Sequence, residues 1–208
     1  MHVASVNVKL PPPGGTAIDK QPTPGPVAVT AAGLAGDGVG NRRHHGGPDQ
    51  AVYAYGTPDY AWWESELGRP LAPGTFGENL TIAGLESATL TVGDRLVTAG
   101  AVVLEVTSPR LPCATLAARM GDDDFIRRFR AGRRPGVYLR VLTPGTIAAG
   151  EAVTVQPTAP GGLMVLELQD LFYARDLQRP AIERALAAPI DIRSRTSLER
   201  RLARVATS

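Results

Sequence analysis

Up to about residue 155, apolar and polar positions alternate with a period of two in several short stretches, each closed by glycine or proline. Val6 and Val8 alternate with Ser5 and Asn7, as a half-buried strand requires, before Pro11, Pro12, Pro13, Gly14 and Gly15 break the pattern. Val27 and Val29 form a second piece ahead of Gly33. The segment from Thr89 to Val97 carries a Gly93-Asp94 break, which predicts a bend or hairpin. Ala101 to Thr107 places Val102, Leu104 and Val106 on one face; Val137 to Leu142 and Ala152 to Val155 are further strands. Many short strands with Gly-rich turns predict a mainly β barrel or sandwich rather than a doubly wound sheet. Two helices interrupt them. One spans Pro58 to Leu67 with Tyr60, Trp62, Trp63 and Leu67 at helical spacing. The other runs from about Asp122 to Arg130, acidic at its start and basic at its end, with Phe125, Ile126 and Phe129 as its expected buried stripe.

After Pro160-Gly161-Gly162 the period changes from two to helical. Met164, Leu168, Leu171 and Phe172 fall on one stripe, and Pro180 stands where a second helix begins before Ile182, Ala185 and Leu186. Thr196 and Glu199 have capping-box spacing, followed by Leu198, Leu202 and Val205 on one face. The pattern divides the chain into a β-rich domain over 1–160 and a small three-helix domain over 163–208. Helices this short are marginal alone, so they are expected to pack on the β domain or on a partner.

Composition narrows the class without naming a chemistry. A chain 43% hydrophobic and 20% charged is an ordinary globular protein, too apolar for disorder. The net charge of +2 gives no argument for a nucleic-acid polymer, and aromatics at 5% give little for a stacking surface. Arg110, Arg119, Arg127, Arg128, Arg130, Arg133, Arg134 and Arg140 lie close together, opposed between 110 and 140 by Asp122, Asp123 and Asp124. That cluster reads either as an anion site or as a solvated helix face. One cysteine makes no internal disulfide and no multi-thiolate zinc site, which fits a reducing compartment. With no basic-then-apolar start and no apolar run near 18 residues, a cytoplasmic protein without a membrane span is expected.

Three segments carry candidate chemistry. Gly36 to Gln50 is too glycine-rich for a helix interior and contains His44, His45, Gly46 and Gly47. Its backbone amides can converge on an anion, or it is a multiple-turn loop with exposed imidazoles. It matches neither the dinucleotide fingerprint nor the phosphate-binding loop of nucleotide hydrolases. In Gly74 to Leu80, Glu78 and Asn79 set an acceptor and an amide beside a glycine turn, either to bind a polar ligand or to tie down the turn. In Thr107-Ser108-Pro109-Arg110-Leu111-Pro112-Cys113, two prolines hold Arg110 and Cys113 on a stiff loop after a strand. Positive charge beside a thiol favours the nucleophilic or metal-ligating form, while a lone cysteine is equally often inert core packing.

In this order the segments resemble the MOSC domain family, named after the C-terminal domain of molybdenum cofactor sulfurase, and most closely its stand-alone bacterial YiiM-like branch. The resemblance runs through Gly33-Leu34-Ala35-Gly36-Asp37, His45-Gly46-Gly47, Gln50-Ala51-Val52-Tyr53-Ala54-Tyr55, Phe76-Gly77-Glu78-Asn79-Leu80, Gly93-Asp94, Pro109-Arg110-Leu111-Pro112-Cys113 and Tyr138-Leu139-Arg140-Val141. The tail from Leu163 to Val205 resembles the three-helix extension of that branch. The chain departs from the family at Asn41, where Asp is common, at Ser108 for Gln, at Val137 for Trp, and at Asp59 for the His before Tyr60.

The resemblance implies a β-barrel-like domain that binds the molybdenum cofactor, a molybdopterin-bound metal, with Cys113 as metal ligand and catalytic centre. It makes His45 a second catalytic candidate, and Gly46, Gly47, Glu78, Asn79, Arg110 and Arg140 cofactor or substrate contacts. The implied reaction is reduction of small N-hydroxylated compounds such as hydroxylaminopurines or amidoximes. The sequence carries no flavin or iron–sulfur signature, so a separate electron-donor protein or reductant is implied. Two other roles stay open: a cysteine-persulfide sulfur carrier and a non-catalytic adaptor. A homo-oligomer is compatible with each.

Overall fold

The structure, a computed structural model, describes residues 1–9, 16–37 and 47–205, the Val205 side chain excepted. Its strands are β1 (His2–Val8), β2 (Gln21–Pro22), β3 (Val27–Thr30), β4 (Gly33–Leu34), β5 (Val52–Gly56), β6 (Leu80–Ala83), β7 (Arg95–Thr98), β8 (Val103–Pro109), β9 (Val137–Thr143), β10 (Gly145–Ile147) and β11 (Val153–Gln156). The helices are α1 (Thr57–Leu67), α2 (Ala114–Met120), α3 (Phe125–Gly132), α4 (Val165–Tyr173), α5 (Arg179–Ala187) and α6 (Ile192–Val205).

Eight strands form one mixed sheet in the order β11-β7-β8-β9-β5-β6-β1-β2, antiparallel except for the parallel pair β5 and β6. The sheet curls until β1 meets the segment entering β11. Val3 donates to the Glu151 carbonyl at 2.8 Å, Gly150 to Val3 at 2.8 Å and Val153 to Met1 at 3.0 Å. Closure removes the free strand edges of an open sheet and makes the expected barrel. A smaller sheet, β10-β3-β4, sends Ile147, Val29 and Leu34 into the core.

The period-two residues divide as the pleat requires. On β5, Val52 and Ala54 join the main apolar cluster, while Tyr53 and Tyr55 join a second, aromatic one with Tyr60, Trp63, Phe76, Phe125 and Phe129. The main cluster continues unbroken from Leu104 and Leu139 to Leu168, Ile182, Ala185 and Leu198, so the C-terminal helices bury their stripes against the barrel.

Several expected details shift. The segment before residue 122 contains α2, which the sequence reading does not predict; Gly121, with φ of 67°, ends it. The next helix then starts at Phe125, because Asp122 holds the Asp124 N–H in a turn at 2.9 Å. Met164 is exposed and precedes α4 rather than sharing its buried stripe. The Thr196–Glu199 capping box does not form. Asp191 takes that role earlier, accepting the Arg193 and Ser194 N–H groups at 3.0 and 3.2 Å, and Thr196 sits inside α6 bonded back to Ile192. Pro180 does stand in the first turn of α5.

Candidate functional site

Pro109 ends β8, and the chain turns through Arg110, Leu111 and Pro112 to Cys113, the residue preceding α2, whose carbonyl accepts the Leu116 and Ala117 N–H groups. The Cys113 thiol is half-buried, 3.9 Å from the Arg110 Nη2. Arg110 itself is buried. Its Nη1 donates to the Phe76 carbonyl, and its guanidinium carbon lies 5.4 Å from the centre of the Tyr53 ring. Burial works to lower the Arg110 pKa, but the facing Tyr53, Tyr138 and Cys113 outweigh it and hold it above the ordinary value. The guanidinium is a fixed positive charge beside the thiol.

Tyr53 and Tyr138 make the adjoining wall, with ring centres 5.0 Å apart. The Tyr53 hydroxyl donates to the Pro135 carbonyl at 2.7 Å, and the Tyr55 hydroxyl donates to the Arg134 carbonyl at 2.6 Å. Burial pushes Tyr53, Tyr55 and Tyr138 above the usual phenol range, so all three stay neutral.

The loop that holds Arg110 is locked from below. Fully buried Glu78 accepts the Tyr60 hydroxyl at 2.5 Å, the Gly74 N–H at 2.7 Å and the Thr81 hydroxyl at 2.7 Å, all on Oε1. Its Oε2 is buried without a partner, and burial raises the carboxyl pKa. Arg119 donates to the Thr75 and Gly74 carbonyls at 2.8 and 3.3 Å, so consecutive carbonyls of this loop each face a guanidinium. Next to it, Asn79 accepts the Tyr53 N–H at 3.1 Å and donates to Asp37 at 2.8 Å. Asp37 also pairs with nearly buried Lys20, whose pKa burial lowers despite that partner.

The family profile for the MOSC domain matches residues 41–154, more than half of the chain. The chain belongs to the MOSC domain family. It is 35% identical over 172 residues to the protein YflK of Bacillus subtilis, covering 83% of this chain and 77% of that one. Over 167 residues it is 32% identical to a protein of Gibberella moniliformis named "Reductase", covering 78% of this chain but 29% of that longer one. The crystal structure of YiiM from Geobacillus stearothermophilus superposes with a TM-score of 0.82 at 29% identity, covering 97% of this chain and 98% of that one.

Within this MOSC domain the structure brings Arg110 and Cys113 together and places Glu78 and Asn79 behind them. Gly47 has a φ of 96°, which a side chain would strain, and it opens the turn Pro48–Gln50. His45 and Gly46 lie outside the described residues. Arg140 is committed to Asp49 at 3.0 Å, Glu105 at 3.3 Å and the Pro189 and Ile190 carbonyls at 3.3 and 3.4 Å. Asp59, one of the departures from the family pattern, is wholly buried, paired with Arg134 at 2.8 Å and bonded by the Ser87 N–H and hydroxyl. The Ser108 hydroxyl, another departure, is buried without a partner.

Tyr53, Tyr138, Lys20 and Asp37 border the thiol or its supporting loop; Tyr53, Tyr138 and Asp37 stand in the motifs that carry the family resemblance, but sequence reasoning gives none of the four a part in the site. The Tyr53/Tyr55 alternation on β5 is the one available signal, since two phenols on the outer face of a strand must find a covered surface.

Among the described residues no three His, Cys, Asp or Glu side chains gather to hold a metal. A molybdenum cofactor brings dithiolene sulfurs of its own and asks the protein for little more than one thiolate and donors for its phosphate. Cys113 beside a buried, permanently charged Arg110 fits that demand.

Proposed function

We propose that this protein is a molybdenum-cofactor-dependent reductase of N-hydroxylated compounds. The observation that carries the reading is the half-buried Cys113 thiol held 3.9 Å from the buried Arg110 guanidinium, which in turn donates to the Phe76 carbonyl of the loop that Glu78 ties down. Membership of the MOSC family and the relative named a reductase support it.

Cys113 would hold the metal, Arg110 and the Gly47 turn would hold anionic parts of the cofactor, and the Tyr53–Tyr138 wall would exclude water from one side of the site. When bound, the cofactor supplies two-electron redox chemistry at its metal. The reaction consumes one N-hydroxylated molecule, two electrons and two protons, breaks the N–O bond, and releases the amine-type product and water. A separate donor protein or reductant supplies the electrons.

The test is direct. Protein purified from cells competent in cofactor synthesis is expected to contain molybdenum by elemental mass spectrometry and to reduce an N-hydroxylated base. Cys113→Ser is expected to keep its thermal transition, because the side chain is half-buried and nearly isosteric, and to lose both metal and activity. Wild-type protein without pterin or metal would overturn the reading. A persulfide on Cys113 in the intact mass, removed by reductant, would favour sulfur transfer instead.

A further inference from the structure

A row of polar side chains crosses four strands on one face of the large sheet. Strand register sets Gln156 on β11 opposite Arg95 on β7, Arg95 opposite Glu105 on β8, and Glu105 opposite Arg140 on β9. Residues directly opposed in a sheet share a face. Their neighbours along the strands, Leu96, Leu104, Val106 and Leu139, turn the other way into the main core. Pro157, Thr158 and Pro189 face the row across a cavity of about 190 Å³ that Gln156, Arg95 and Glu105 line from the sheet. Gly93 keeps that space open. Its φ is 97°, and a Cβ there would stand 3.1 Å from the Pro189 ring and 3.2 Å from the Thr158 hydroxyl.

The cavity holds more hydrogen-bonding capacity than the chain employs. Glu105 is buried, yet only its Oε2 accepts a hydrogen bond, from Arg140 at 3.3 Å. Arg95 Nε stands 3.6 Å from Oε1, an ion pair too long for a hydrogen bond. The terminal nitrogens of Arg95, the Gln156 amide and the Thr158 hydroxyl have no hydrogen-bond partner among the described residues. A carboxylate oxygen without a donor thus lies beside donors without an acceptor. The fixed charges cancel, because Arg95 and Arg140 face Glu105 and Asp49, which pairs with the other end of Arg140 at 3.0 Å. A ligand of one sign would leave a charge uncompensated in this half-covered space; a zwitterion would not.

We infer that this cavity binds a small free α-amino acid, its ammonium on Glu105 and its carboxylate on Arg95, with Gln156 and Thr158 completing the carboxylate's hydrogen bonds. The volume admits the amino-acid core and a short side chain, for which Pro157 and Pro189 supply the apolar contact. The site is independent of the reductase reading. Pro189 belongs to the connection between α5 and α6 and the other residues to the barrel, so an occupant bridges the two and stabilises their contact.

The test uses the full chain and a panel of probes: glycine, L-alanine, L-serine and L-proline, each followed by calorimetry and by amide chemical shifts. At least one is expected to saturate the protein with Kd of about 1 mM or tighter, to move the Gly93 and Thr158 amide resonances and to raise Tm. The hydroxy acid and the amide of the best probe, L-lactate and L-alaninamide in the case of alanine, each lack one charge and are expected to bind about tenfold more weakly. Arg95→Gln alters a half-exposed side chain on the rim. It is expected to keep the wild-type Tm without ligand and to weaken the best probe about tenfold. Absence of saturable binding by every probe overturns the inference, and so does Arg95→Gln protein that binds as wild type does. A hydroxy acid that binds as tightly as its amino acid would reveal a plain anion site and overturn the zwitterion assignment.

Discussion

Glu78 is wholly buried, with three donors on one oxygen and none on the other, and burial holds its pKa above that of an exposed carboxyl. A carboxyl whose folded pKa lies above its unfolded one keeps its proton longer in the folded state. Its contribution to stability is greatest below the unfolded value, near pH ~4, and declines as pH rises toward the folded value. The melting temperature of wild type relative to Glu78→Gln is therefore expected to fall between acidic and neutral pH. A pH-independent difference between the two proteins would show that the folded carboxyl titrates normally. The residue type and its glycine neighbours are legible in the sequence, and so is the choice between binding a ligand and tying down a turn. The geometry favours the turn for Oε1, a distinction that depends on Tyr60 and Thr81 arriving from two other elements.

Among the elements, the strands were the most legible, since Val102, Leu104 and Val106 or Val137 and Leu139 declare a buried face by alternation alone. Helix α2 was hidden because Pro112 and Cys113 read as loop, and only Leu116, Ala117 and Met120 mark its buried side. The aromatic cluster between α1, α3 and β5 has little spare volume. Gly136, with φ of 63°, would place a Cβ 2.6 Å from the Tyr55 ring and 2.7 Å from the Tyr53 ring. Gly136→Ala combines left-handed strain with overpacking and is expected to cost about 1–3 kcal/mol in chemical denaturation. It should also displace Tyr53 from Arg110, read as a changed near-ultraviolet circular dichroism spectrum. A variant with wild-type stability and spectrum would mean that the rings retreat without cost.

At the scale of the molecule, the composition shift at Pro160-Gly161-Gly162 marks a change of secondary structure, yet the apolar cluster crosses it without interruption. Val92 and Val165 are tied to Leu163 and Leu90 by backbone hydrogen bonds at 2.8 and 2.9 Å, and Thr91 bridges to Met164. Removing residues 163–208 would uncover Leu104-side apolar surface that the helices now bury. The shortened chain is expected to aggregate or to lose its cooperative transition, and the full chain to unfold in one step by calorimetry. Two separated transitions would show independent units. No local pattern announces this, because period and composition report what an element is and not what it covers. For the same reason Arg140 reads in sequence as one of a basic cluster, an anion site or a solvated face, and by resemblance as a cofactor contact, whereas Asp49, Glu105 and the 189–190 carbonyls hold it as a clamp. No helix among the described residues is long and apolar enough to cross a membrane.

The barrel is sealed by bonds between Val3 and residues 150–151, so of the three segments that pair with β1 the one that closes the barrel is made last, long after β2 and β6. At roughly 5–20 residues per second, β1 waits on the order of ten seconds or more with that edge bare. Its other neighbours, β2 and β6, are synthesised well before that wait ends. During translation the nascent chain is thus an open, half-shielded sheet whose exposed margin invites a neighbouring chain on the same messenger.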